Sequence, residues 1–226
     1  KNADKPDFIS LTGGEPTLHP DFFPLLAYFR RRLAATRINL LTNGRRFADA
    51  AFTARLLKIA RPPFGFIIPV HGPGPALHDK VAGVKGSFAQ TMKGLANLFS
   101  AAEGRDIEIR IVLHKLTVKA LPGILGLLFK KFPATARYRV VVMHYEIEGE
   151  SERNHRLVGL RFRDSVRALR VCARLMSRFE RMELYHFPLC VLPPRLRGLA
   201  RVTLPSEDRI YPASKCGRCA LKRKCL

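Results

Sequence analysis

Apolar positions recur along the chain in two alternating periods. Five short runs read as strands, roughly Asp7–Thr12, Arg37–Leu41, Phe64–Val70, Ile107–Leu113 and Tyr138–Tyr145. Between them the spacing turns helical. From Asp21 to Leu33, the residues Phe22, Leu25, Leu26, Phe29 and Leu33 share one face. Ser87 with Gln90 predicts a capping box opening a helix that carries Phe88, Met92, Leu95 and Phe99. A third helix fits Leu116 to Phe132. A fourth, about Arg161 to Glu180, carries a stripe of Phe162, Val166, Leu169, Cys172, Ala173, Met176 and Phe179. A short strand in "MELYHF" follows. Alternation of this kind predicts an α/β chain with a parallel sheet, a barrel or a doubly wound sheet.

Polar residues gather where the strands end. The first strand runs into Gly13-Gly14-Glu15-Pro16, the second into Thr42-Asn43-Gly44, and the third into His71-Gly72. The fourth ends at His114-Lys115 and the fifth at His144 and Glu146. Parallel α/β folds bind their ligands at that end of the sheet. In "IEIRIVL" the isoleucines Ile107, Ile109 and Ile111 take one face, which puts Glu108 and Arg110 on the other. An inward arginine needs an anion, supplied either by Glu108 or by a ligand carboxylate.

Composition changes the picture in two ways. Lys and Arg number 40 against 18 acids, a formal net charge of +22, which points to an acidic or polyanionic partner or to a solvated basic surface. The basic residues look scattered, dense only at Arg30–Arg32 and in "LKRKC". They lack the aromatic interleaving of RNA-binding surfaces. No apolar run reaches the length of a membrane span and no secretory signal is visible, so a cytoplasmic location is expected. Of five cysteines, Cys172 sits in a helical apolar stripe and reads as core. Cys190, Cys216, Cys219 and Cys225 cluster near the end and read as metal ligands, with His186 as an alternative to Cys190. The division expected is a main domain over 1–182 and a cysteine-rich appendage over 183–226.

Several of these stretches resemble one family. "LTGGEPTLHPDF" is similar to the Gly-Gly-Glu-Pro turn of radical S-adenosylmethionine enzymes, and "LLTNGRRF" to the strand end that follows it. "PALHDKVAGVKGSFAQTMKGLANL" resembles a later helix of the family. "CGRCALKRKC" resembles the auxiliary cluster region of its peptide maturases. "NGRRFADAAF", "IEIRIVLHKLTVKALP" and "LCVLPPRLRGLAR" look like the maturases of His-Xaa-Ser peptide systems. The resemblance implies a partial (β/α)6 TIM-like barrel, strands two to six, with the appendage behind it.

The resemblance further implies that Gly13, Gly14, Glu15 and Pro16 bind the methionyl amino group of S-adenosylmethionine. Two glycines let backbone carbonyls approach an ammonium closely. By position, Asn43 and His71 face the same cofactor, Arg110 takes its carboxylate, and His144 with Glu146 lies near ribose, adenine or substrate. A catalytic 4Fe–4S cluster is implied, but its Cys-x3-Cys-x2-Cys ligands are not in this sequence, which has no cysteine before Cys172. Truncation ahead of Lys1 is the expectation, with this chain alone inactive. Cys190, Cys216, Cys219 and Cys225 would hold an auxiliary 4Fe–4S cluster, or a structural zinc. The implied activity is hydrogen abstraction from a peptide by a 5′-deoxyadenosyl radical, with flavodoxin or ferredoxin as reductant. An acidic leader on the peptide would suit the charge. The alternatives are a radical enzyme acting on RNA and a non-catalytic, zinc-tailed binding protein.

Overall fold

The computed structural model describes residues 8–147, 149–203 and 211–225. Six strands lie in one sheet in the order β1–β2–β3–β4–β5–β6. They are β1 (Phe8–Leu11), β2 (Arg37–Leu41), β3 (Phe64–Pro69), β4 (Asp106–Leu113), β5 (Arg139–His144) and β6 (Met182–Tyr185). The pairings β1–β2, β2–β3, β3–β4 and β5–β6 are parallel. Sequential parallel order requires a crossover between neighbours, and helices supply it. These are α1 (Phe22–Arg32), α2 (Ala50–Ile59), α3 (Pro75–Ala82), α4 (Ser87–Ala101) and α5 (Leu121–Lys131). After β5 come α6 (Glu150–Arg153), α7 (His155–Val158) and α8 (Phe162–Met176). Beyond β6 lie α9 (Pro194–Arg197) and α10 (Ala213–Cys216). This is the parallel strand–helix alternation of a partial TIM-like fold. The short sixth strand forms within "MELYHF", over Met182–Tyr185.

The chain divides into two compact units. One comprises Lys1–Arg110 with Arg137–Arg139, the other Ile111–Ala136 with Val140–Leu226.

In the first unit, alternation sends Ile38 and Leu40 of β2 and Phe64, Phe66 and Ile68 of β3 to a buried face. Helix α1 buries Phe22, whose ring lies 6.3 Å from that of Phe52 in α2, and Leu26, but Leu25 is 47% exposed. The expected five-residue apolar face of α1 is therefore narrower than its spacing suggested. The capping box at Ser87 does not form. Gly86, at φ 82°, is the cap of α4, and Ser87 lies buried inside the first turn. Asp79 does the capping from a distance, its two carboxylate oxygens each accepting 2.7 Å bonds from the N–H groups of Gly86 and Phe88. The Phe88 bond leads the interactions that hold Asp79 below the usual carboxylate range.

In the second unit, Val166, Leu169, Cys172 and Met176 of α8 are buried, as is Phe179 beyond it. Cys172 is 2% exposed and burial pushes its thiol up to about 11, so it is a core residue. The helix expected from Leu116 to Phe132 begins later. A 3-10 turn spans Val118–Ala120 and α5 follows, with Pro122 in its first turn. Proline is tolerated there and disfavours helical backbone just before it.

Candidate functional site

The turn after β1 is built around Glu15. Its Oε1 accepts from Thr17 N (3.1 Å), Thr17 Oγ1 (2.7 Å) and Thr42 Oγ1 (2.7 Å), and Oε2 from Asn43 N (2.7 Å). One carboxylate thus caps the 3-10 turn Pro16–Leu18 and ties the end of β1 to the end of β2. Gly13 adopts φ +138°, a conformation for glycine. A Cβ placed on Gly13 or Gly14 would meet nothing within 4 Å. The space beside the backbone at these two positions is therefore open. A polar cavity of about 140 Å³ beside it is lined by Glu15, Leu18, Asn43, Arg45, Arg46 and Gln90.

The second strand end is held by packing. Asn43 Oδ1 accepts from Arg45 N at 2.9 Å, and its main-chain carbonyl accepts from Thr91 Oγ1 of α4 at 3.0 Å. Gly44 takes φ 74°. Helix α4 presses on this turn through Gly94, where a Cβ would stand 2.2 Å from the Gly44 carbonyl oxygen. Asn97 adds a bond to the Phe47 carbonyl at 2.7 Å. Thr42 is named in the sequence only as part of the second strand end, without a bonding role, and Thr91 and Gly94 are not named there. A glycine inside a helix costs about 1 kcal/mol against alanine, so Gly94 carried a legible signal. The threonines carried none.

At the third strand end, His71 N donates to Nδ1 of His78 at 3.2 Å. His78 is 2% exposed, and burial lowers its pKa against the opposing pull of Asp79. On β4, Arg110 pairs with Glu108, Nε to Oε1 at 2.7 Å. Glu108 also meets Arg139 (3.0 Å), which meets Asp106 (3.1 Å), which meets Arg37 (2.8 Å). The isoleucines at 107, 109 and 111 are buried on the opposite face, as the alternation predicts. Gly65 lets Arg37 cross β3, since a Cβ there would lie 2.7 Å from Nη2. The anion beside Arg110 in this structure is Glu108.

The second unit carries the remaining strand ends. His144 is 6% exposed, its ring stacked on Phe162 at 4.1 Å and its Nδ1 2.9 Å from Ser165 Oγ. Burial first and His186 second lower its pKa to about 4, so it is neutral near pH 7. His186, at φ 62°, sets Nδ1 3.0 Å from a Glu146 carboxylate oxygen. His114 is buried and its pKa lowered, with Nδ1 accepting from Leu116 N at 3.3 Å.

The cysteines are partly brought together. Cys190 is exposed, and Cys216, Cys219 and Cys225 are half-buried. Leu189 N donates to Cys225 Sγ at 3.3 Å, which sets the last cysteine against the segment that carries Cys190. Cys216 and Cys219 share one turn, closed by a 3.3 Å bond from Cys219 N to the Cys216 carbonyl. Among the described residues, no three His, Cys, Asp or Glu side chains are grouped to hold a metal ion. No helix among them is long and apolar enough to cross a membrane.

The Radical SAM superfamily profile matches residues 1–128, more than half of the 226. The chain belongs to the Radical SAM superfamily. The match spans the Gly13–Pro16 turn, the three strand ends that follow it and most of α5. Two curated relatives are similar over the same share of the chain. The Fe-coproporphyrin III synthase of Methanosarcina barkeri is 31% identical over 134 residues, 59% of this chain and 32% of the relative. The mycofactocin maturase MftC of Mycobacterium ulcerans is 32% identical over 130 residues, 58% of this chain and 33% of the relative. The alignments thus span about a third of the length of these curated relatives. The superfamily implies S-adenosylmethionine and a 4Fe–4S cluster. The open Gly13–Gly14 backbone fits the first. For the catalytic cluster, residues 1–171 contain no cysteine to offer.

Proposed function

We propose that this chain is the S-adenosylmethionine-binding part of a radical enzyme that modifies a peptide. The observation that carries the reading is the Gly13–Gly14 backbone, left open while Glu15 is fully engaged in holding the turn. In this reading the carbonyls of Gly13 and Gly14 receive the cofactor's ammonium. Pro16 sets the exit of the turn. Asn43 and His71 stand at neighbouring strand ends, and Arg110 turns to the cofactor carboxylate. S-adenosylmethionine held there would, on taking one electron from a 4Fe–4S cluster, release methionine and supply the carbon radical that takes a hydrogen atom from the peptide.

The peptide half of the proposal leans on the likeness to a relative named as a maturase and on the cysteine spacing. The Leu189 N–H bond to Cys225 Sγ and the shared turn of Cys216 and Cys219 support a metal-pinned appendage over 183–226. Its metal is assigned here as an auxiliary 4Fe–4S cluster, with zinc as the competing result. The protein would work in the cytoplasm, where thiols stay reduced.

The cofactor half is tested by calorimetric titration of the full chain with S-adenosylmethionine. A side chain at Gly14 enters empty space, so Gly14→Val should leave the fold intact and weaken binding about tenfold or more. Equal binding by both proteins would refute the site. The tail is tested by anaerobic reconstitution and metal analysis. About four irons, lost in Cys216→Ala and Cys219→Ala, support the cluster, whereas one zinc makes the tail structural.

A further inference from the structure

Helix α8 presents an arginine stripe to solvent. Arg163, Arg167, Arg170 and Arg174 recur at intervals of three and four and are all exposed. Asp164 is the single acid of the helix. Among the described residues, Arg167, Arg170 and Arg174 have no carboxylate partner. Beside this stripe lies an apolar groove of about 660 Å³, whose walls include Leu116, Val118, Pro122, Leu160, Ala168 and Val171. Val171 is 72% exposed. The charged residues of its lining are Lys115, Lys119, Arg167 and Asp164. Arg167 is shared with a second cavity of about 420 Å³, formed with Arg163, Val166, Arg170 and Val191.

An exposed apolar groove edged by three basic side chains and one acid, Asp164, which lies 3.8 Å from Arg163, selects its occupant by chemistry. Volume and lining suit a few aliphatic side chains. The rim suits carboxylates. Among the described residues no aromatic side chain lines either cavity, so neither cavity offers the stacking platform that single-stranded nucleic acid uses. We propose that this face of α8 docks an acidic amphipathic segment of the peptide substrate, its apolar side chains in the groove and its carboxylates along the arginine stripe. The partner's identity rests on the peptide reading above. The recognition is of the helix-in-groove kind, with anchors three and four residues apart.

The probes are two fluorescein-labelled peptides of identical Leu and Glu content, one with leucines at helical spacing and one scrambled, and a single-stranded RNA of equal charge. Anisotropy is measured with the full chain. The patterned peptide should bind about tenfold tighter than the scrambled one. Val171→Asp should weaken it about tenfold by removing the apolar contact. Arg167→Glu should weaken it as well, and added salt should do so for both proteins. Both side chains are exposed, and circular dichroism confirms that the variants fold. The proposal is overturned if the scrambled peptide binds equally or if Val171→Asp changes nothing. Tighter binding of the RNA would also overturn it, as would a self-association abolished by Val171→Asp. Patterned-peptide binding by a chain that calorimetry shows not to bind S-adenosylmethionine sinks the radical-enzyme reading and leaves the docking face standing. S-adenosylmethionine binding without preference for the patterned peptide does the reverse.

Discussion

Glu15 shows how much one side chain decides. Its four accepted bonds join two strand ends, so the glutamate of the Gly-Gly-Glu-Pro turn works as a brace. The ligand-facing part is the backbone ahead of it. Glu15→Gln replaces one accepting oxygen by a donor opposite the Asn43 N–H. Loss of about 1–3 kcal/mol is expected in denaturant unfolding, together with weaker S-adenosylmethionine binding. Unchanged stability would mean the brace is dispensable. His144 sets a pH dependence. Its folded pKa of about 4 lies below the ordinary value of 6.5, so the unfolded chain binds more protons between those values. Stability present above about pH 6.5 should therefore fall as pH drops toward 4, by on the order of 3 kcal/mol from this group. His144→Gln should flatten that part of the unfolding profile. A profile of unchanged slope would assign the dependence to His78 and His114, which burial shifts the same way.

Helix contacts place the site more than helix propensity does. Gly94 brings α4 onto the Gly44 turn. Gly126 sits within α5, where a Cβ would meet nothing within 4 Å. The same substitution should thus act with opposite sign. Gly94→Ala forces α4 off the turn and should cost about 1–3 kcal/mol or more. Gly126→Ala should gain about 0.5–1 kcal/mol by removing glycine's backbone freedom from the unfolded chain. Thermal unfolding of the pair distinguishes the two, and equal effects would mean that the α4 contact relaxes freely. Periodicity made these helices legible, but not which of their residues are buried. Leu25 falls on the expected apolar face of α1 and is nearly half exposed. The Ser87–Gln90 pattern matched a capping box, yet the donors of α4 are taken by Asp79, a residue of α3. Local pattern names a cap only when no better acceptor arrives from elsewhere in the fold.

Across the whole molecule the charge of +22 opposes compaction through self-repulsion. Raising ionic strength from roughly 0.05 to 0.5 M should therefore raise the melting temperature, because screening shortens the reach of exposed charges. A falling midpoint would show that paired charges such as Arg37–Asp106 and Arg139–Glu108 dominate. Along the chain the basic residues look scattered. Folding gathers four of them on α8, because residues three and four apart share a helix face. The sequence by itself determined the strand–helix alternation, the polar strand ends and the core role of Cys172, since these follow from periodicity and residue chemistry. Only the tertiary structure decided that Glu15 braces two strand ends, that Glu108 also partners Arg139, and that the arginines of α8 border an apolar groove. Those facts depend on residues far apart in sequence arriving within bonding distance, and no local pattern encodes that distance.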